Sequence, residues 1–284
     1  LNPAAAADRA APIGVFDSGV GGLTVLAALR ARLPTEHFVY LGDTARLPYG
    51  TKSGETVVRY ALQASEALVG RGIKALVIAC NTATAAALPA LRERFPGLPV
   101  VGVVEPGAAA ACAATRNGHI VVIATEGTVR GGAYQQAILR SRPDADVQAL
   151  ACQLFVALAE EGWSQGPVVD AAIRAYLAPV FPGARSNAAM RSRADVLVLG
   201  CTHFPLLRAA LGGFVGDSVA IVDSAVTTAA AVETTLAARR LLRGAGPRGA
   251  VQLLATDGVE RFARVGSRFL GEAILPADVA LIDL

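Results

Sequence analysis

The chain has 284 residues, 53% hydrophobic and 17% charged, with a formal net charge of +3. That length and apolar content supply a large core, in one big domain or two smaller ones. The weak charge, the two lysines (Lys52 and Lys74) and the dispersed arginines exclude a tract that would follow a nucleic-acid backbone. The longest apolar stretch, around 219–238, is broken by Asp223 and Glu233, which excludes a membrane span there.

Residues 1–12, "LNPAAAADRAAP", lack the basic start and apolar core of a secretory signal and read as a flexible leader on a cytoplasmic protein. Beyond it, short aliphatic runs predict strands at 13–16, 38–41, 75–79, 100–104, 120–124, 147–150, 196–200, 219–222 and 251–255. The runs are continuous rather than alternating, as required of parallel strands covered on both faces. Helical segments at 55–70, 83–95, 226–242 and 259–269 lie between or after them, so the pattern is α/β. A weak repeat relates "IGVFDSGVGG" to "IVVIATEGTVRGG", each passing from a strand into a polar glycine turn. Each is followed, after several elements, by a strand ending in cysteine. Two similar lobes with mostly parallel sheets, flanked by helices and facing one cleft, are therefore expected. Ligands of such sheets bind beyond the carboxyl ends of strands, the kind of position held by Asp17, Cys80, Thr125 and Cys201.

"FDSGVGG" begins a G-x-G-x-x-G, but Thr24 stands where the third glycine belongs, and Asp43 would be the ribose-binding acid. An anion or zwitterion site built from backbone N–H groups is the more general reading. Asp17 fits either as a cleft residue, beside Ser18, or as a helix N-cap. "GDTARLPYG" is a polar loop whose Pro48, Tyr49 and Gly50 form a turn.

Cys112 lies in an alanine-rich helical stretch and Cys152 follows "VQALA"; both read as small buried hydrophobes. "ACNTAT" and "GCTHFP" differ from these. Each puts a thiol at the end of a strand, with polar neighbours Asn81 and Thr82 in one case and Thr202 and His203 in the other. A free thiol has a pKa near ~8.5 and becomes an acid or base with modest tuning. Zinc binding by Cys80, Cys201 and His203 lacks any close ligand spacing. Nucleophilic catalysis would leave one cysteine idle. Taking a proton from one face of a carbon and delivering one to the other uses both, and inverts that carbon.

With these residues in view, the chain resembles the cofactor-independent aspartate/glutamate racemases. The segments that carry the resemblance are "IGVFDSGVGGLTV", "YLGDTARLPYG", "LVIACNTATA", "VVGVVEPG", "VIATEGT", "LGCTHFPLL" and "VDSA". The resemblance implies glutamate as substrate and D-glutamate supplied to peptidoglycan synthesis. No pyridoxal phosphate or other cofactor and no metal are implied, and a homodimer is. It implies Cys80 and Cys201 as the two acid–base catalysts, with Asp17 and Ser18 binding substrate on the Cys80 side. Tyr49, Gly50, Asn81, Thr82, Thr125, Thr202 and His203 are implied as further substrate contacts. His203 would also assist Cys201 and be partnered by a glutamate, Glu160 in "LAEEGW" with Glu161 as the alternative. The first lobe would comprise 13–100 and 215–284, and the second 101–214. Aspartate racemisation and a non-catalytic amino-acid-binding regulator are the other functions this pattern allows.

Overall fold

Strands rich in Val, Ile and Leu must be covered on both faces, and this chain solves that problem twice. The computed structural model describes residues 9–181 and 194–284, so most of the expected leader lies outside the described residues. The strands are β1 (Ile13–Asp17), β2 (Phe38–Gly42), β3 (Ala75–Ile78), β4 (Val100–Gly102), β5 (His119–Ala124), β6 (Asp146–Ala151), β7 (Val196–Gly200), β8 (Ala220–Asp223), β9 (Val251–Ala255) and β10 (Val279–Leu281). The helices are α1 (Leu23–Arg32), α2 (Gly54–Val69), α3 (Asn81–Arg94), α4 (Val104–Ala114), α5 (Glu126–Gly131), α6 (Ala133–Ser141), α7 (Leu154–Glu161), α8 (Pro167–Leu177), α9 (Arg208–Val215), α10 (Ser224–Ala238) and α11 (Val259–Leu270). One sheet runs β10-β9-β2-β1-β3-β4 and the other β6-β5-β7-β8, with every pairing parallel.

Successive residues of each strand point to opposite layers. On β1, Ile13 and Val15 join Leu26 and Leu29 of α1, Val232 of α10 and Phe262 of α11. Phe16 joins the other layer, with Ala61 and Leu68 of α2 and Leu91 of α3. In the second sheet, Val121, Ile123, Leu197 and Leu199 pack with Phe155 and Leu158 of α7 and Ile173 of α8. Ile120, Val122, Val196 and Val198 face Ala108 of α4 and Ile138 of α6. Burying one such side chain stabilises by about 1.5–3 kcal/mol. A one-residue slip would swap the two layers' occupants and misfit both, so the register is firmly set.

The structure alters three of the sequence expectations. The run predicted as a strand at 100–104 ends at Gly102, and Val104 already begins α4. An apolar run of that length is ambiguous between strand and helix, and Pro106 is tolerated because it falls in a first turn. β10 was not anticipated; its three residues are too few to carry a periodic signal. The division at 214/215 also needs correction. β8 pairs with β7 in the register Val196↔Ala220, so it belongs to the second sheet. The chain returns to the first lobe only through α10, whose Ala225, Ala229 and Val232 lie in the first lobe's core. β9 then adds to the edge of β2, with Phe38 opposite Val251.

Candidate active site

Cys80 follows the end of β3 and is the N-cap of α3. Its sulfur accepts the Ala83 N–H at 3.4 Å and its thiol donates to Ser18 Oγ at 3.5 Å. A sulfur in this position replaces the usual oxygen cap and faces the positive end of a helix. Burial, reinforced by the nearby Asp17 charge, nevertheless pushes the thiol up to about 12, and it carries its proton at neutral pH.

Cys201 follows β7, level with Thr125, because Ala124 and Gly200 are register partners at the ends of β5 and β7. Its sulfur lies 3.8 Å from His203 Nδ1. His203 Nε2 meets Glu160 Oε1 at 3.1 Å, and Arg261 Nη2 donates to Glu160 Oε2 at 2.6 Å. Burial opposes charge on the imidazole, but the bonds to Cys201 and Glu160 outweigh it and raise His203 to about 10. The same histidine bond is the main reason that the Glu160 carboxyl is held below its ordinary range. Arg268 Nη1 donates to the Glu160 carbonyl at 3.0 Å, so two arginines of α11 grip the end of α7 from the other lobe. Of the two glutamates considered, Glu160 is the one that meets His203.

Both sulfurs line one narrow cavity, together with Ser18, Pro48, Tyr49, Gly50, Asn81, Thr82, Thr125, Gln153, Val156, Thr202 and His203. Hydrogen bonds close it across the lobes. Thr82 Oγ1 lies 2.8 Å from Thr125 Oγ1 and 3.2 Å from Thr128 Oγ1, while Tyr134 donates to Asn81 Oδ1 at 2.8 Å. The buried Asn81 Nδ2 has no protein partner. Two glycines permit the approach. A Cβ on Gly21 would fall 2.4 Å from Thr202 Oγ1, and one on Gly50 2.8 Å from Thr125 Cβ.

Two residues stand differently from what the sequence suggested. Asp17 is fully buried behind the lining rather than in it. It does not cap a helix either, because α1 is preceded by Gly22 with no side-chain cap. Its Oδ2 accepts from Gly19 N at 2.9 Å, its Oδ1 has no partner, and burial raises its pKa against the pull of His203. Tyr49 lines the cavity, but its hydroxyl donates to Asp43. Asp43 also binds Arg46 and Thr256, which leaves it no freedom to hold a ribose. Gln153 and Val156 were missed. The available signal was positional, since Gln153 follows a strand end just as Cys80 and Cys201 do, but the apolar reading of Cys152 hid it. Among the described residues, no three His, Cys, Asp or Glu side chains gather to hold a metal, and no helix is long and apolar enough to cross a membrane.

The fold and cavity define a two-lobed α/β protein with paired strand-end thiols. The sequence profile of the Asp/Glu/hydantoin racemase family matches residues 23–233, and the chain belongs to that family. It is 51% identical to the glutamate racemase of Geobacter metallireducens over 259 residues, 91% of this chain and 92% of that protein. The crystal structure of glutamate racemase from Thermus thermophilus with β-chloro-D-alanine is 43% identical, covers 98% of each chain and superposes with a TM-score of 0.84. The Francisella tularensis glutamate racemase structure, in complex with D-glutamate, is 31% identical with a TM-score of 0.86, covering 97% of this chain and 98% of that one.

Proposed function

We propose that this chain is a glutamate racemase that exchanges the α-hydrogen between two cysteines. One of Cys80 and Cys201, as thiolate, takes the α-proton; the other, as thiol, gives its proton to the opposite face. For the reverse reaction the roles exchange. The observation that carries this reading is that sulfurs from two different sheets line one cavity. The glutamate specificity rests on the relatives and on the D-glutamate complex of the Francisella protein.

The α-proton of an amino acid is feebly acidic, so the site must stabilise the carbanion that forms. Positioned acid–base groups contribute roughly 10²–10⁴-fold, and preorganised donors on the developing charge about 10²–10³-fold each. The unpartnered Asn81 Nδ2 and the Ser18 hydroxyl, whose oxygen accepts from Cys80, serve as donors to carboxylate oxygens, and the hydroxyls of Thr82, Thr125 and Thr202 do so by exchanging their present protein partners for the substrate. Tyr49 and Gly50 shape the wall. His203, held by Glu160, carries a proton beside Cys201 at neutral pH and returns it to that sulfur. Asp17 acts through its charge on Cys80 from behind Ser18. The substrate ammonium brings a positive charge between the two sulfurs, which favours the thiolate that burial disfavours. The chemistry calls for no cofactor. A cytoplasmic homodimer, supplying D-glutamate to peptidoglycan synthesis, completes the proposal.

The test is α-hydrogen exchange in heavy water, followed by NMR. Both glutamate enantiomers should acquire deuterium at the α-carbon. Absence of exchange would reduce the protein to a binding module, and faster exchange into aspartate would make it an aspartate racemase.

A further inference from the structure

An amino acid presents a cation as well as carboxylates, and most polar side-chain atoms lining the cavity already have a protein partner. Asn81 Oδ1 is occupied by Tyr134, the Thr82 and Thr125 hydroxyls are engaged with each other and with Thr128, and the Tyr49 hydroxyl is engaged with Asp43. The Thr202 hydroxyl lies 3.4 Å from His203 Nδ1, Ser18 Oγ accepts from the Cys80 thiol at 3.5 Å, and the Asp17 carboxylate lies behind the lining. Gln153 is different. It precedes α7 at the mouth of the second sheet, lines the cavity with Cys201, and its Oε1 is buried without a partner. A buried amide oxygen left unpaired is costly unless a ligand supplies the N–H.

We infer that Gln153 is the acceptor for the substrate α-ammonium and thereby selects α-amino acids over diacids that lack the amine. Anchoring the ammonium fixes the rotation of the α-carbon between the two sulfurs, which proton transfer on opposite faces demands. The inference rests on the cavity being the glutamate site.

Equilibrium dialysis of glutamate and of glutarate, which has both carboxylates but no amine, tests it. In Gln153→Leu, glutamate should bind roughly tenfold more weakly, the scale of one lost hydrogen bond to a charged group, while glutarate changes less than about twofold. Gln153→Glu keeps an acceptor, so the ratio of glutamate to glutarate affinity should be preserved or increased. Equal losses for the two ligands in Gln153→Leu, no loss of glutamate binding, or a collapsed ratio in Gln153→Glu would each overturn the assignment. The underlying reading fails separately: if Asn81→Leu leaves both ligands bound as before, the cavity is not the glutamate site and the role of Gln153 falls with it.

Discussion

Cys80 and Cys201 occupy equivalent places in two sheets yet have unlike neighbours. Cys80 caps the 14-residue α3 and touches Ser18, with the Asp17 carboxylate buried behind. Cys201 leads into a short 3₁₀ turn at Phe204–Leu207 and has His203, Glu160 and Arg261 in series. The two sheets thus place their sulfurs alike but manage the sulfur protons by different means. One side relies on a helix end and a hydroxyl, the other on an imidazole.

The harshest way to break this comparison is to remove either sulfur. Cys80→Ala and Cys201→Ala should each lower racemisation by at least about 10²–10⁴-fold while glutamate binding persists, measured by polarimetry and dialysis. Full turnover by either variant would end the two-base scheme. The next effect sharpens the asymmetry. Enantiomers have equal free energy, so kcat/KM must fall equally in both directions whatever is mutated. His203→Asn should reduce it by roughly 10–100-fold, and its one-sidedness must show in kcat and KM taken separately. Identical kcat losses in the two directions would refute a role confined to Cys201.

A smaller effect is expected in stability against pH. His203 is raised above its ordinary 6.5 to about 10 in the folded protein. Its contribution is therefore complete below about pH 6.5 and is lost as pH climbs through 10. The gap in unfolding midpoint between the wild type and His203→Gln should shrink across that window; a constant gap would contradict the charged pairing with Glu160. The smallest effect belongs to Cys112, a half-buried thiol whose Sγ reaches only the Ile138 carbonyl at 3.8 Å. Cys112→Ala should shift stability by no more than about 1 kcal/mol and leave kcat unchanged, and a catalytic collapse there would mean that the wrong sulfurs were chosen.

Much of this was legible in the sequence because parallel strands buried on both faces read as unbroken aliphatic runs. The strands at 196–200 and 251–255 coincide with β7 and β9. β10 was not legible, since Ala280 and Leu281 are exposed and three residues hold no period. β8 was assigned to the wrong lobe because partner choice is a long-range matter that Val219–Val222 cannot express locally. At the site, the cysteines announced themselves by polar neighbours after apolar runs. Asp17 did not reveal that it would be sealed behind Ser18, nor Gln153 that it would face the cavity. Which residues line a space between two lobes depends on how the lobes meet, and α11 contributes its arginines from the far end of the chain.

That last arrangement bears on biosynthesis. Glu160 is translated long before Arg261 and Arg268, which hold its carboxylate and its carbonyl. A ribosome-bound chain that has exposed both sulfurs still lacks β9 and α11. The imidazole beside Cys201 therefore acquires its fully fastened partner only once α11 has been made, so proton-handling competence at that sulfur arrives after the sulfurs themselves.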